Sequence, residues 1–376
     1  MKFQIRNIED AEDLARGADF MSASGGGPRR EALSLLENYM NEDRKPQIEE
    51  LHSIDDDACV VVTFFSGSVA PTRYARGDSE KEFEVTGKIA HPPMEAVLEL
   101  EARTGKTFDA ILPIELGGNN TLQAVASAAA LGKVLINADL AGRAIPEAMC
   151  TTTHLAGVSM TPLACVSYYG DRIYVSSSAN NQMAERIGKH IAMATFGSVG
   201  CAAFVMDGRT TKRVAIAGTL SKAMEIGRAI RQLAETSNEV AAKLADQFPH
   251  IWMLFEGRIT KRNWENRDGY MWGEHIFEGS GRFIGHSMRI WFKNENHISW
   301  LDGDPYVCSP DIIEVIDRKT GEPLINSFLE VGAEVAVLGI KRSAGFDSQA
   351  GIDLMGPEHW GFDIPYRPIE TLFPAN

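Results

Sequence analysis

The sequence predicts an α/β fold followed by a β-rich region, and three observations carry that expectation. Segment 108–114, FDAILPI, is a short apolar run bounded by turn residues, as expected of a strand covered on both faces. Segment 121–132 is Ala-rich and helix-forming, with Gly132 placed to close it, and KVLINAD (133–139) reads as the next strand. Strand, helix and strand with short connections imply a right-handed parallel crossover. The residues that follow each strand then share one sheet edge, where open α/β sheets hold ligands.

The remaining elements follow in order. Residues 7–21 and 28–40 read as amphipathic helices around SASGGGP (22–28), with Pro28 expected at the first helical position. Residues 56–67 read as a buried strand ending in a glycine turn, and 93–105 as a helix stopped by Gly105. Near residue 165 the pattern changes to repeated short strands with Gly and Asp turns, RVAIAG (213–218) among them, predicting a sandwich or closed barrel. Only 219–248 reads as clearly helical there, as one long helix, and 317–324 reads as a turn. The expected division is 1–165 and 166–376, since 376 residues exceed one typical domain.

Composition narrows the function classes. A formal charge of −14 leaves no basic face for nucleic acid. No stretch approaches the roughly 18–20 apolar residues of a membrane span, and the amino-terminal segment lacks a signal-peptide core. Five cysteines without framework spacing suit a reduced compartment, so a cytoplasmic protein is expected. Glycines 25–27 fit neither a dinucleotide fingerprint nor a phosphate loop. They read as a tight helix–helix turn, or as a turn that aims the backbone N–H groups at the start of helix 28–40 at a substrate anion or carbonyl; the two readings are compatible.

The candidate site is built from PIELGGNN (113–120) and INADLAGRAIPE (136–147). Gly117 and Gly118 let the chain turn out of the strand, and Asn119 or Asn120 is placed to cap the next helix. A carboxylate at Glu115, where a core strand meets its loop, must find a partner or shift its pKa. Asp139, Arg143 and Glu147 have i, i+4 spacing, so a helical turn would bring them together as an ion-pair network or a catalytic group. The nine histidines form no HExxH or HxH and no Cys-x-x-Cys pair is present, so no metal ligand motif or cofactor is read from the sequence. A divalent metal held by residues distant in sequence stays open. Cys150 and His154 are also four apart; a buried cysteine beside a satisfied histidine is the plainer reading than a thiol nucleophile. Tyr168, Trp291, Trp300 and Trp360 read mainly as core aromatics. NEN (294–296), with Asn294 and Asn296, is placed either on a cleft or on the polar face of a strand.

These strings, with TTT (151–153), 218–230, FKNENHIS (292–299) and GPEHWGFDIPY (356–366), resemble the DUF917, or S-methyl-thiohydantoin desulfurase-like, family along nearly the whole chain. The chain departs from the family pattern at Ser24, Arg29 and Cys150. The resemblance implies an N-terminal three-layer α/β domain and a C-terminal barrel-like domain, with the tail returning to the first. It also implies a small heterocyclic substrate and a neighbouring hydantoinase/oxoprolinase-type protein, and a homo-oligomer is expected. Three functions follow: thiohydantoin desulfurisation, ring-opening hydrolysis of a hydantoin or oxoproline-like lactam, or an accessory subunit. For the first, Glu115 or Asp139 is expected as base, Glu147 as acid or as the partner orienting Arg143, and Arg143 as charge stabiliser. The glycine turns (Gly25, Gly26, Gly27, Gly117, Gly118), Asn119, Asn120, Thr152, Asn294 and Asn296 are expected to bind substrate.

Overall fold

A computed structural model describes residues 3–70, 83–85 and 89–373. The first sheet holds β1 (Gln47–Glu50), β2 (Cys59–Gly67), β3 (Ala110–Pro113), β4 (Val134–Asp139), β5 (Leu163–Val166), β6 (Arg172–Val175), β7 (Ser198–Asp207) and β8 (Ile216–Ala217). Its order is β1-β4-β3-β2-β7-β5-β6, with β8 beside β4. The β1-β4-β3-β2 half is parallel and the remaining pairs are antiparallel. Alternate residues of the central strands enter different cores: Val61 and Ile111 one, Val60, Val62 and Leu112 the other. Two apolar faces on one sheet require cover on both sides, which makes three layers.

One face is covered by α1 (Ile8–Phe20), α2 (Arg30–Asn41), α3 (Pro92–Thr104), α4 (Gly118–Leu131) and α8 (Thr219–Thr236). Gly105 and Gly132 close α3 and α4 in the left-handed conformation, as the sequence predicts. The other face takes the loop after β4, α5 (Thr152–Leu155), α6 (Asn181–Ala194), α7 (Gly208–Val214) and the returning segment with α10 (Gln349–Met355).

The second sheet is antiparallel and curls into a half-barrel around its own core. Its strands are β9 (Ile251–Arg267), β10 (Tyr270–Gly279), β11 (Ser287–Lys293), β12 (Glu295–Leu301), β13 (Asp304–Cys308), β14 (Ile312–Asp317) and β15 (Glu334–Ile340). α9 (Val240–Gln247) leads into it, and α11 (Ile369–Leu372) caps it with Ile369 in the core.

Several expectations change. Residues 219–248 form two helices, because Ser237 is extended and accepts from Glu239 N. α8 packs on α1 in the first layer rather than serving the barrel. A Cβ at Gly17 would lie 1.6 Å from Ala223 O, and one at Gly227 1.8 Å from Asp13 O, so glycine permits this backbone contact. RVAIAG is the end of α7 and a two-residue strand. The sequence reading missed α6, which Asn180 caps through Met183 N. Pro28 precedes α2 instead of starting it. Strands within 163–207 complete the first sheet, so the change of pattern near residue 165 is not the change of sheet.

Candidate active site

Glu115 leaves β3 and turns under the start of α4. Its Oε1 accepts from Asn120 Nδ2 at 2.6 Å and its Oε2 from Ile145 N at 2.7 Å. Burial raises its carboxyl to about 7, although these donors pull the other way. Asn120 does not cap α4, whose N-cap is Gly117. It bonds Phe65 N and O instead, clamping Glu115 to β2. Asn119 lines the adjacent cavity, with Oδ1 accepting from Gln123 Nε2.

Two glycine turns meet beside this carboxylate. A Cβ on Gly26 would lie 2.6 Å from Gly117 Cα, and Gly26 also needs φ +74°. A Cβ on Gly25 would strike Glu295 Oε1, and one on Gly118 would strike Asp19 Oδ1. The turn amides are used internally: Gly25 N donates to Ser22, Gly26 N to Glu295 Oε1 and Gly118 N to Asp19. Gly26 and Gly27 line the cavity, whereas the expectation of free N–H groups for an anion does not hold at Gly25, Gly26 or Gly118.

The second sheet supplies the facing wall. Asn294 takes φ +58° between β11 and β12, accepts from Met271 N at 2.8 Å, and lines the cavity. The next residue, Glu295, therefore points into the first domain; the sequence reading placed NEN (294–296) at a cleft or on a strand face but gave Glu295 no role of its own. It is buried; Oε1 accepts from Gly26 N at 3.3 Å, and Oε2 has no partner. Burial, then repulsion from Glu115, raises its carboxyl to about 8. Asn296 is inside the protein, bonded to Ile313 O and Asn326, and does not reach the cavity.

Lys189, on the unpredicted α6, completes the charge arrangement. Its Nζ donates to Gly67 O at 3.1 Å, stands 3.8 Å from Glu185 and lies over the Tyr270 ring. Tyr168 stacks with Phe65 on the same wall. The cavity holds about 250 Å³. That lies just under the roughly 300–1,000 Å³ range of drug-sized sites and suits a small metabolite.

The remaining predicted residues do not line this cavity. No helical turn gathers Asp139, Arg143 and Glu147, because 140–150 is irregular. Asp139 Oδ2 accepts from Ala141 and Gly142 N, Oδ1 is buried unpartnered, and burial raises the carboxyl to about 7. Arg143 donates to the carbonyls of Ala144, Pro310, Asp311 and Asn296; burial lowers it to about 10. It supports the Asn294–Asn296 turn from behind and charges the region positively. Glu147 pairs with Lys293 and His359; burial opposes ionisation, but these partners outweigh it and hold the carboxyl at about 2. Thr152 bonds Leu140 O. Glu147, Cys150 and His359 are the group of donor side chains among the described residues placed to share a metal ion.

Family models place the chain. The S-Me-THD-like N-terminal domain matches residues 9–177 and the C-terminal domain residues 179–369. The chain belongs to the S-Me-THD-like family. No curated protein matches the sequence. A crystal structure of a Chromobacterium violaceum protein, a structural-genomics target, is similar at TM-score 0.79 and 21% identity, covering 98% of this chain and 100% of that one. This likeness shows that the fold is shared along nearly the whole chain. No helix among the described residues is long and apolar enough to cross a membrane.

Proposed function

We propose that this S-Me-THD-like protein is a hydrolase of a small planar cyclic amide-like compound, removing sulfur from a thiohydantoin or S-methyl-thiohydantoin to leave a hydantoin. The observation that carries the reading is the pair Glu115 and Glu295, two buried carboxyls from different sheets at one cavity, both raised toward neutrality. Such a pair supplies a base and an acid at one pH. Glu115, held by two N–H donors, is the better carboxylate and acts as base. Glu295, with one weak donor and an empty second oxygen, keeps its proton and acts as acid. This replaces Asp139 as alternative base and Glu147 as acid.

In the reaction, Glu115 takes a proton from water as its oxygen bonds to the ring carbon bearing S-methyl. Charge developing on the adjacent ring nitrogen lies near the Lys189 ammonium, the role expected of Arg143. Glu115 passes the water proton to the ring nitrogen, and the C–S bond breaks as Glu295 protonates the departing methanethiolate. The Glu295 carboxylate takes the hydroxyl proton as C=O forms, so both carboxyls return to their starting states. Water and S-methyl-thiohydantoin are consumed, and methanethiol and hydantoin are produced. Asn119 and Asn294 are the amides placed to bond the ring edge.

The test is incubation with S-methyl-thiohydantoins, thiohydantoins and hydantoins, following thiol and ring products by mass spectrometry. Thiol release lost in Glu115→Gln supports the proposal. A new carboxylate without thiol would replace it with ring opening. No turnover by the folded protein, with binding retained, would replace it with the accessory-subunit role beside a hydantoinase/oxoprolinase-type protein.

A further inference from the structure

We infer that Glu147, Cys150 and His359 form a binding site for a thiophilic divalent cation of the zinc class, separate from the cavity of Glu115 and Glu295. The inference does not rest on the proposed reaction. The three residues offer a carboxylate oxygen, a sulfur and an imidazole nitrogen, all within 4.8 Å of one another. Glu147 Oε2 and His359 Nε2 are 3.4 Å apart. Two tetrahedral ligands at roughly 2.0 Å from zinc are separated by about 3.3 Å, so this pair already has the right spacing. The cysteine sulfur lies within 4.8 Å of both, against the roughly 3.5 Å that tetrahedral zinc geometry sets between sulfur and oxygen or nitrogen ligands.

The donors are held before any ion arrives. Glu147 and Cys150 lie in one tight turn, with Cys150 N donating to Glu147 O at 2.8 Å. Lys293 occupies Glu147 Oε1 and leaves Oε2 to face the imidazole. His359 sits on the short helical turn Pro357–Trp360, edge-on to Trp360 with ring centroids 4.4 Å apart. Trp360 is itself anchored by Nε1 to Ser309 Oγ at 3.0 Å and Met355 O at 2.9 Å. Ligands fixed by such partners lose little freedom on binding an ion.

The chemistry matches the class. A thiolate and an imidazole select a soft or borderline cation over magnesium or calcium. Carboxylate and thiolate bring two negative charges to the 2+ ion beside the Lys293 ammonium already on Glu147, with the thiol proton released on binding. Three protein ligands leave a fourth position for a solvent molecule. Glu147 also lines a second cavity of about 620 Å³, beside Met149, Glu185 and Tyr270, which gives the ion a route from solvent.

Cobalt(II) is the probe. Chelator-treated protein is titrated with Co²⁺, uptake is counted by elemental analysis, and absorption is recorded. One equivalent of Co²⁺ with a near-ultraviolet thiolate-to-cobalt band is expected, displaced by Zn²⁺. Cys150→Ser should lose the band. His359→Gln, at a partly exposed position, should weaken uptake by more than roughly tenfold. Absence of stoichiometric uptake overturns the site. So does a band that persists in a folded Cys150→Ser protein, or uptake unchanged in His359→Gln, since either assigns the ion elsewhere.

Discussion

Glu295 Oε1 accepts the backbone N–H of Gly26 at 3.3 Å, joining a strand of the half-barrel to the glycine turn of the first layer. The bond fixes one oxygen of a buried carboxyl and leaves the other unpartnered beside Glu115's cavity wall. The two sheets thus each contribute one carboxyl to the same space.

Neutralising either carboxyl should separate activity from stability. Glu115→Gln and Glu295→Gln are each expected to lower thiol release by roughly 10²–10⁴-fold, the usual contribution of a positioned acid or base. Neither should lower the melting temperature at pH 8, because each removes a buried charge. Parallel kinetics and thermal unfolding check this; equal loss of both quantities would make the residues structural.

Stability should fall as the solution becomes alkaline. Glu115 and Glu295 rise from 4.5 to about 7 and about 8 in the folded chain, so the native state holds protons that the unfolded chain releases. Their contribution is complete below about 4.5 and is lost as pH climbs through 7 to 8. Glu147, lowered to about 2, works in the opposite window: its contribution is present above 4.5 and lost on acidification toward 2. A melting temperature highest at about pH 4.5, with a shallower alkaline decline in Glu295→Gln, is the profile these shifts contribute, read by scanning calorimetry.

The glycine turn should be intolerant of a methyl group. Gly26→Ala meets both a positive φ and a backbone carbon 2.6 Å away, whereas Gly132→Ala meets only the positive φ. Gly132→Ala should cost about 1 kcal/mol. Gly26→Ala should cost clearly more, above about 2 kcal/mol, because the Gly117 backbone must move. Urea titrations of the two variants measure the difference.

Arg143 should behave as a structural cation. Arg143→Leu leaves four carbonyls without their guanidinium donor and removes the buried cation that faces Glu295 and Glu314. A loss of about 3–5 kcal/mol is expected from breaking such a buried arrangement. Urea unfolding at neutral pH reports it directly; a stable but inactive variant would return Arg143 to the reaction.

The sequence by itself determined the local elements and one half of the site. Apolar runs at 108–114 and 133–139, the Ala-rich helix between them and the Gly132 stop are short-range signals, and each strand-end residue follows from them. Glu115, the interlocking glycines and Asn119 were legible for that reason. Tertiary structure alone decided the other half. Whether Glu295, Asn294 or Asn296 faces the cavity depends on the positive-φ turn at Asn294 and on how two sheets dock, which no local pattern encodes. Lys189 was hidden because residues 181–194 were not read as a helix, and which face of α6 is buried is set by packing on the first sheet. Asp139, Arg143 and Glu147 share a spacing but not a helix: Asp139 takes the nearby Ala141 N–H, while Arg143 and Glu147 find Pro310 and Lys293 through contacts distant in sequence.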